Sequence, residues 1–264
     1  MKGKKIINKI RCLRYIKEKF GKISQREMAR RLGIGKTTVN RWSKELGLEV
    51  KKNSVNEDFF KKWTHDMSYI LGYIFTDGNI AWNPKKSYRS LTITAAERDK
   101  DHLERIRLSL HSTKELLYSS LTKSYRLVVA NRNICLDLMK FGVFPNKSLS
   151  VKFPDVPKKF LNDFIRGIID GDGNVRYVNR KRSPYFEITI SSGSKKFCDA
   201  LAEKISSVLG IDARVRRIKN NLFVIQYSCQ KGLNLAEWIY KDANIFLDRK
   251  FQQYDVAIKS KGGD

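Results

Sequence analysis

The two stretches that decide the fold are ILGYIFTDGN at residues 70–79 and IRGIIDGDGN at residues 165–174, which match at six of ten positions. Both have the apolar pattern of a buried helix and end on Asp-Gly-Asn. Small residues recur one helical turn apart in each stretch: Gly72/Thr76 and Gly167/Gly171. Small residues at i and i+4 favour close helix packing, so we expect each of these helices to pack closely against a neighbouring helix.

The similarity extends beyond these stretches at the same shift of 95 residues. It brings Ile93-Thr94 onto Ile188-Thr189 and Lys100 onto Lys195. A shared register over this length indicates a duplication, with two copies of one structural unit from residue 63 onward.

Each copy has the pattern of a helix, two strands, a helix, two strands and a helix. In the second copy Phe186, Ile188 and Ile190 alternate with polar residues, as in a strand with one wet face, and an amphipathic helix follows at residues 194–209. The first copy repeats this around Ile93. The order predicts an α+β fold with two antiparallel sheets and helices on one face of each.

Asp77 and Asp172 occupy the same position in the two copies, at the predicted helix C-termini. The glycine after each one is suited to a left-handed helix cap. Two carboxylates close together at the negative ends of helix dipoles repel each other unless a cation lies between them. Oxygen-ligated Mg²⁺ ions would relieve this repulsion and could promote phosphodiester hydrolysis.

The charge of the chain indicates a polyanionic partner. It has 53 Lys and Arg against 27 Asp and Glu, a net charge of +26. Residues 1–52 hold 17 basic and 4 acidic residues, which is half of this excess. Nucleic acid, whose counterions are released on binding, is the partner that such a surplus favours.

The basic N-terminal segment has its own helical pattern. Ile10, Leu13 and Ile16 recur at near-helical spacing, and Ser24 with Glu27 forms a capping-box pattern for a second helix. A glycine turn at residues 32–35 precedes a third helix. The stretch from Gln25 to Trp42 resembles the helix-turn-helix family, which implies that the helix from Lys36 enters the major groove. Its predicted DNA contacts are Lys36, Thr37, Asn40 and Arg41.

Other compartments and cofactors are disfavoured. The sequence has no apolar stretch long enough for a membrane span and no signal peptide pattern, so we expect an intracellular, soluble protein. The four cysteines form no CxxC pair, which argues against a zinc ribbon, and the three histidines are too separated for an imidazole metal cluster.

The two decapeptides resemble the signature of the LAGLIDADG homing endonuclease family, in two copies as in its single-chain members. The resemblance implies a monomer with two pseudo-symmetric αββαββα repeats that form a DNA-binding saddle. It also implies that the two signature helices pack together, with their C-termini side by side. We therefore predict an all-α helix-turn-helix domain at residues 1–50, a linker at 51–62, repeat 1 at 63–150 and repeat 2 at 151–264.

The resemblance also implies the site. It gives Asp77 and Asp172 catalytic and metal-binding roles, with Thr76 and Gly171 beside them, for two or three Mg²⁺ ions that Mn²⁺ can replace. Lys147 and Lys250 are the candidates for the family's basic residue near the metals, although a solvated or phosphate-positioning lysine is an equal alternative. Asp170 fills the earlier acidic position of the signature, where copy one has Phe75.

DNA contacts in the repeats are expected on exposed strand faces. The candidates are Thr92, Thr94, Arg126, Arg132, Arg180, Arg182, Glu187, Thr189, Arg214, Arg216 and Arg217. Arginines on these strands could contact base edges or bind phosphates.

Three functions fit this pattern. The first is a site-specific, Mg²⁺-dependent homing endonuclease that makes double-strand breaks at a long asymmetric site, of the intron-encoded type. The second is a transcription regulator with a LAGLIDADG-like domain, although such regulators tend to lack the catalytic aspartates. The third is an intron maturase, which would bind RNA.

Overall fold

The structure is a computed structural model that describes residues 8–48, 53–83, 88–145, 152–179, 184–219 and 222–261. The chain divides into two compact units, Met1–Asn53 and Ser54–Asp264. Within the described ranges, no helix combines the length and the apolar character that a membrane crossing requires.

The described part of the smaller unit contains three helices: α1 (Lys9–Lys19), α2 (Gln25–Leu32) and α3 (Lys36–Glu45). The Ser24 hydroxyl accepts the Glu27 N–H and begins α2, as expected. Instead of completing the capping box, the Glu27 carboxylate pairs with Arg30 and Arg31. Gly33 ends α2 at a φ of 65°, a left-handed conformation that glycine adopts without strain.

The three helices bury a small core of their own. It contains Cys12, Ile16, Met28, Ala29, Val39 and Trp42. Ile10, which the periodicity placed on the apolar face of α1, is 73% exposed. The buried face of α1 is instead set by Cys12 and Ile16, which lie one turn apart.

The larger unit contains the two predicted copies. The first consists of α4 (His65–Asp77), β1 (Gly78–Asn83), β2 (Tyr88–Ala96), α5 (Lys100–Ser109), β3 (Leu117–Ser119), β4 (Ser124–Val129) and α6 (Arg132–Lys140). The second consists of α7 (Leu161–Asp172), β5 (Gly173–Val178), β6 (Tyr185–Ser192), α8 (Lys195–Leu209), β7 (Arg216–Lys219), β8 (Leu222–Ser228), α9 (Gln230–Tyr240) and α10 (Asp248–Lys261). The second copy thus ends in one helix more than the repeat pattern predicts.

Each copy forms a four-stranded antiparallel sheet, with strand orders β1-β2-β4-β3 and β5-β6-β8-β7. The mixed α+β fold with two such sheets is the one predicted. The core lies beneath the sheets and is contributed by both copies.

The uniform 95-residue shift is wrong in one pair of strands. Gly78 pairs with Ile93, whereas its counterpart Gly173 pairs with Ile190, so the second hairpin is two residues longer. Thr92 and Thr189, rather than Thr94 and Thr189, are therefore equivalent. Because side chains alternate with a period of two, the difference leaves the inward and outward faces unchanged.

Part of the predicted 51–62 linker belongs to the larger unit. Phe60 is buried in the main core, and Val55 packs against it. Ser54 donates its N–H to the Thr113 hydroxyl and accepts the Thr113 N–H with its carbonyl oxygen, which fixes this segment beside the end of α5.

Candidate active site and DNA-binding surfaces

Helices α4 and α7 lie in direct backbone contact. A Cβ atom on Gly72 would overlap the Phe164 carbonyl and lie 3.2 Å from the Ile168 nitrogen. A Cβ atom on Gly167 would overlap the Tyr69 carbonyl and lie 2.7 Å from the Tyr73 nitrogen. The two glycines therefore permit an approach that no larger residue allows.

The same contacts show that the two helices run parallel. Gly167 lies against Tyr69 and Tyr73, whereas Gly171, one turn later, lies against Thr76 and Asp77. A Cβ atom on Gly171 would be 2.9 Å from Asp77 Oδ2. The carboxylate that ends α4 therefore lies against the last turn of α7, whose final residue is Asp172. Asp77 is half-buried and Asp172 is exposed.

The glycines after the two aspartates do not adopt the predicted left-handed conformation. Gly78 and Gly173 are extended, with φ of −91° and −87°, and begin β1 and β5 directly. Glycine is required there for space, because a Cβ atom would lie 2.6 Å from the Ile74 carbonyl oxygen or 2.5 Å from that of Ile169. In both copies the backbone therefore changes from helix to strand immediately after the aspartate.

Thr76 and Lys147 are the other two residues predicted for the first half of the site. The Thr76 hydroxyl donates to the Tyr73 carbonyl at 2.8 Å within α4. Burial raises the pKa of Tyr73, and the Asp77 carboxylate adds to this through its charge and a hydrogen bond. Lys147 lies outside the described residues.

Lys250, in the first turn of α10, is buried against the C-terminus of α7. Its ammonium group donates to the carbonyl oxygens of Ile169 at 2.6 Å, Asp170 at 2.7 Å and Gly173 at 2.6 Å. The Gly171 carbonyl oxygen is 3.5 Å away. Burial lowers the pKa of Lys250 to about 8, against the opposing effect of the nearby carboxylates of Asp170 and Asp77. The lysine thus neutralises carbonyl dipoles at the end of the signature helix.

Asp170 faces the interior. Its Oδ2 accepts the Tyr69 hydroxyl at 2.7 Å and the Leu247 N–H at 2.9 Å, and Tyr69 contacts His102 Nε2 at 3.1 Å. Burial raises the pKa of Asp170 and lowers that of His102 to about 4. At the equivalent position of copy one, Phe75 packs against Phe164 and Phe197 in an aromatic cluster. Neither position of this pair lies at the surface, so the earlier acidic residue of the signature is structural.

The helix ends carry oxygen groups of the kind that bind divalent metals. Two carboxylates and nearby main-chain carbonyls are hard oxygen ligands, which suit Mg²⁺. Among the described residues, no group of three or more His, Cys, Asp or Glu is arranged to hold a metal. The fit therefore depends on the Asp77 and Asp172 carboxylates supplemented by backbone oxygens such as that of Gly171.

The outer face of the first sheet has the predicted polar residues. Thr92 pairs with Val128, and Thr94 pairs with Arg126 on the neighbouring strand. Thr94 and Arg126 are exposed, and Thr92 is half-buried. They form a polar strip across β2 and β4.

The outer face of the second sheet holds a hydrogen-bonded network that includes a residue missed in the sequence. Gln226 donates to Glu187 Oε2 at 2.7 Å and accepts from Arg216, and Tyr185 donates to the same Glu187 oxygen at 2.8 Å. Gln226 pairs with Thr189 across the strands. Buried and more exposed residues alternate in β8, where Ile225 and Tyr227 are buried. This alternation in the sequence could have identified Gln226 as an outward-facing residue.

Two arginines predicted on strands lie elsewhere. Arg132 is the first residue of α6, because the Asn131 side chain accepts the Ile134 N–H and begins a helix there. Arg214 precedes β7, which begins at Arg216 and also includes Arg217. Arg180 and Arg182 lie outside the described residues.

On α3 the predicted DNA contacts differ in exposure. Lys36, Thr37 and Arg41 are exposed, whereas Asn40 is half-buried and its Oδ1 is buried without a hydrogen-bond partner. Three of the four side chains are thus accessible on the surface of this helix.

The paired signature helices and the two four-stranded sheets define the LAGLIDADG fold. Residues 159–239 match the family model described as LAGLIDADG-like domain. Over these residues the second repeat is similar to that family, and the two-sheet architecture agrees with the fold of its members. An uncharacterized protein of Methanocaldococcus jannaschii, MJ0398, is 29% identical over 178 residues. That match covers 64% of this chain and 60% of the length of the relative.

Solved structures share the fold at low sequence identity. The I-LtrWI LAGLIDADG homing endonuclease bound to target DNA aligns with a TM-score of 0.55 and 14% identity, over 78% of this chain and 92% of that protein. The LAGLIDADG meganuclease I-AabMI bound to uncleaved DNA aligns with a TM-score of 0.52 and 13% identity, over 73% and 91%.

Proposed function

We propose that this protein is a site-specific DNA endonuclease that cuts both strands of a long asymmetric target by Mg²⁺-dependent hydrolysis. The observation that carries the proposal is the parallel contact of α4 and α7, which end on the pseudo-equivalent Asp77 and Asp172. A regulator that only binds DNA has no need of two carboxylates at this junction, where they repel each other.

In this proposal the two carboxylates and the Gly171 and Thr76 carbonyl oxygens hold two or three Mg²⁺ ions, and Mn²⁺ can replace them. The Thr76 hydroxyl is already used within α4, so its main-chain oxygen is the available ligand. Bound divalent cations supply Lewis-acid activation of the phosphate and of water. Lys250 keeps the end of α7 in place, and its positive charge lies beside the Gly171 oxygen.

The outer faces of the sheets would bind the DNA on either side of these helix ends. Gln226, Glu187 and Arg216 have the donor and acceptor groups that read adenine, cytosine and guanine in the major groove. Thr94 and Arg126 play the corresponding part in repeat 1. The exposed Lys36, Thr37 and Arg41 of α3 would add a helix-turn-helix contact on one flank of the target.

The function is tested by selecting duplexes from a randomised library for binding in Ca²⁺ and then transferring the bound duplexes to Mg²⁺. We expect cuts on both strands at one position, identified by sequencing the ends. A selected duplex that stays bound and intact in Mg²⁺ would instead identify a DNA-binding regulator. Preference for structured RNA over these duplexes in a competition assay would identify a maturase.

DNA affinity is expected to fall steeply with salt. The net charge of +26 should neutralise several phosphates and release their counterions. From about 50 to 200 mM salt the affinity should drop about 1000-fold. Titrations of a labelled duplex at four salt concentrations measure this, and a nearly flat log-log plot would contradict the electrostatic account.

Deletion of residues 1–52 should leave a folded domain that still cuts, more weakly, with a footprint shortened on one side. The larger unit has its own core, so it should fold without the three N-terminal helices. Footprinting and cutting assays on the selected duplex measure the effect.

In the full-length protein, Lys36→Ala combined with Arg41→Ala should weaken protection of the same flank. Arg14→Ala with Lys17→Ala on α1 removes the same charge and serves as the matched control. An unchanged footprint after the deletion would show that the N-terminal unit does not bind the target.

A further inference from the structure

The start of α10, which carries Lys250, is clamped to the first repeat by two reciprocal ion pairs. Arg105 of α5 contacts both carboxylate oxygens of Asp248, at 3.2 and 2.8 Å, and donates to the Phe246 carbonyl at 3.0 Å. Arg249 contacts Asp99 at 3.0 and 3.2 Å. Each repeat thus supplies one arginine and one aspartate.

A third contact fixes the same turn from inside. The buried Asp170 carboxylate accepts the Leu247 N–H, so the residue before α10 is held against α7. Lys250 lies two residues after the clamped Asp248, and its ammonium group reaches the carbonyls at the end of α7. Its position therefore depends on where this turn is held.

Among the described residues, α8 lacks the charged side chains that α5 contributes to the clamp. At the 95-residue shift that relates α5 to α8, Asp99 corresponds to Ser194 and Arg105 to Ala200, and neither of these can form such an ion pair. The buried polar group of Tyr69, His102 and Asp170 is likewise replaced by Phe164, Phe197 and Phe75. The surroundings of the two halves of the site are therefore chemically different.

We propose that Arg105 and Asp99 of the first repeat are positioning residues for Lys250, so that cutting of one DNA strand depends on the clamp and cutting of the other does not. This inference rests on the proposed endonuclease function. Control of the second repeat's lysine then lies with residues of the first repeat.

A positioning role can be separated from a stabilising one. Arg105 and Asp248 are partly exposed, with 36% and 55% of their side-chain surface accessible, and such ion pairs contribute little to stability. Their loss should leave the protein folded. A small displacement of a group in the active site, by contrast, slows a reaction strongly.

The test measures single-turnover nicking of each strand of a doubly labelled selected duplex, at saturating protein in Mg²⁺. Arg105→Asp and Asp248→Arg should each slow one strand about tenfold and leave the other nearly unchanged. The double variant Arg105→Asp/Asp248→Arg restores the pair with reversed charges. It should recover the slowed strand to within about threefold of wild type.

Asp255→Arg is the matched control. It makes the same charge change in the same helix and breaks the Asp255–Lys259 pair of 2.7 Å two turns further on. It should not change the ratio of the two nicking rates. Lys250→Met should slow nicking of the same strand as the clamp variants do. If this variant does not fold, the ratio of the two nicking rates and the rescue by the charge-swapped double variant are sufficient to test the proposal.

Equal slowing of both strands, no slowing, or absence of rescue by the double variant would overturn the clamp proposal while the endonuclease function stands. Wild-type protein that binds the duplex in Ca²⁺ and cuts neither strand in Mg²⁺ would overturn the proposed function and this inference with it.

Discussion

Gly167→Ala is expected to destabilise the larger unit by about 3 kcal/mol or more, because the added methyl group has no room between α4 and α7. It would overlap the Tyr69 carbonyl and lie 2.7 Å from the Tyr73 nitrogen, both parts of a rigid helix backbone. Helix propensity alone predicts the opposite sign, since alanine is favoured over glycine by about 1 kcal/mol. Chemical unfolding of the variant, followed by far-ultraviolet circular dichroism, measures the difference.

Gly35→Ala provides the matched control. The nearest heavy atom to its added Cβ would be 3.5 Å away, an ordinary contact, and the backbone φ of −69° suits alanine. As the N-cap of α3 it should lose about 1 kcal/mol or less in its own unit. A Gly167→Ala variant as stable as wild type would show that α4 and α7 are not in direct backbone contact.

The signature stretches predict much of this architecture because glycine spacing and apolar periodicity are local properties. They place α4 and α7, their contact, and the aspartates at their ends. The strand alternation around Ile188 likewise predicts which side chains face outward, and a two-residue difference in hairpin length leaves that face unchanged.

The clamp could not be predicted in this way. Asp170 and Leu247 are 77 residues apart, and Arg105 and Asp248 are 143 apart, so no local pattern connects them. Lys250 was singled out by resemblance, whereas its burial against the end of α7 depends on a helix that the repeat pattern did not contain.

Strand boundaries were the other source of error. The sequence predicts Arg132 on an exposed strand face, but the Asn131 cap begins α6 at that residue. Arg214 lies two residues before the start of β7. Where a helix or strand begins can depend on a single capping side chain or on the length of a turn. The alternation of apolar and polar residues does not give this information.

Asp77→Asn and Asp172→Asn should each reduce cutting by at least about 100-fold, because each removes one charged oxygen ligand from the proposed metal site. Asparagine keeps the size of the side chain, so the packing of residue 77 against Gly171 should survive in Asp77→Asn. DNA affinity should be retained or rise, since loss of a carboxylate near the phosphates relieves repulsion. An aspartate that served only to end its helix would tolerate asparagine with little loss of activity.

Asp66→Asn is the control for these variants. It makes the same substitution in the first turn of α4, at the opposite end from Asp77. Loss of a favourable charge–dipole interaction there should cost only about 0.3–1 kcal/mol of stability. Cutting should therefore stay near the wild-type rate.

The most direct measurement compares wild type with Asp77→Asn and Asp172→Asn on one selected duplex, by binding in Ca²⁺ and by single-turnover cutting in Mg²⁺. We predict that all three proteins bind with affinities within about threefold of one another or tighter in the variants, and that only wild type cuts both strands at an appreciable rate. Cutting by either variant within about tenfold of wild type would contradict the assignment of the paired aspartates as the active site.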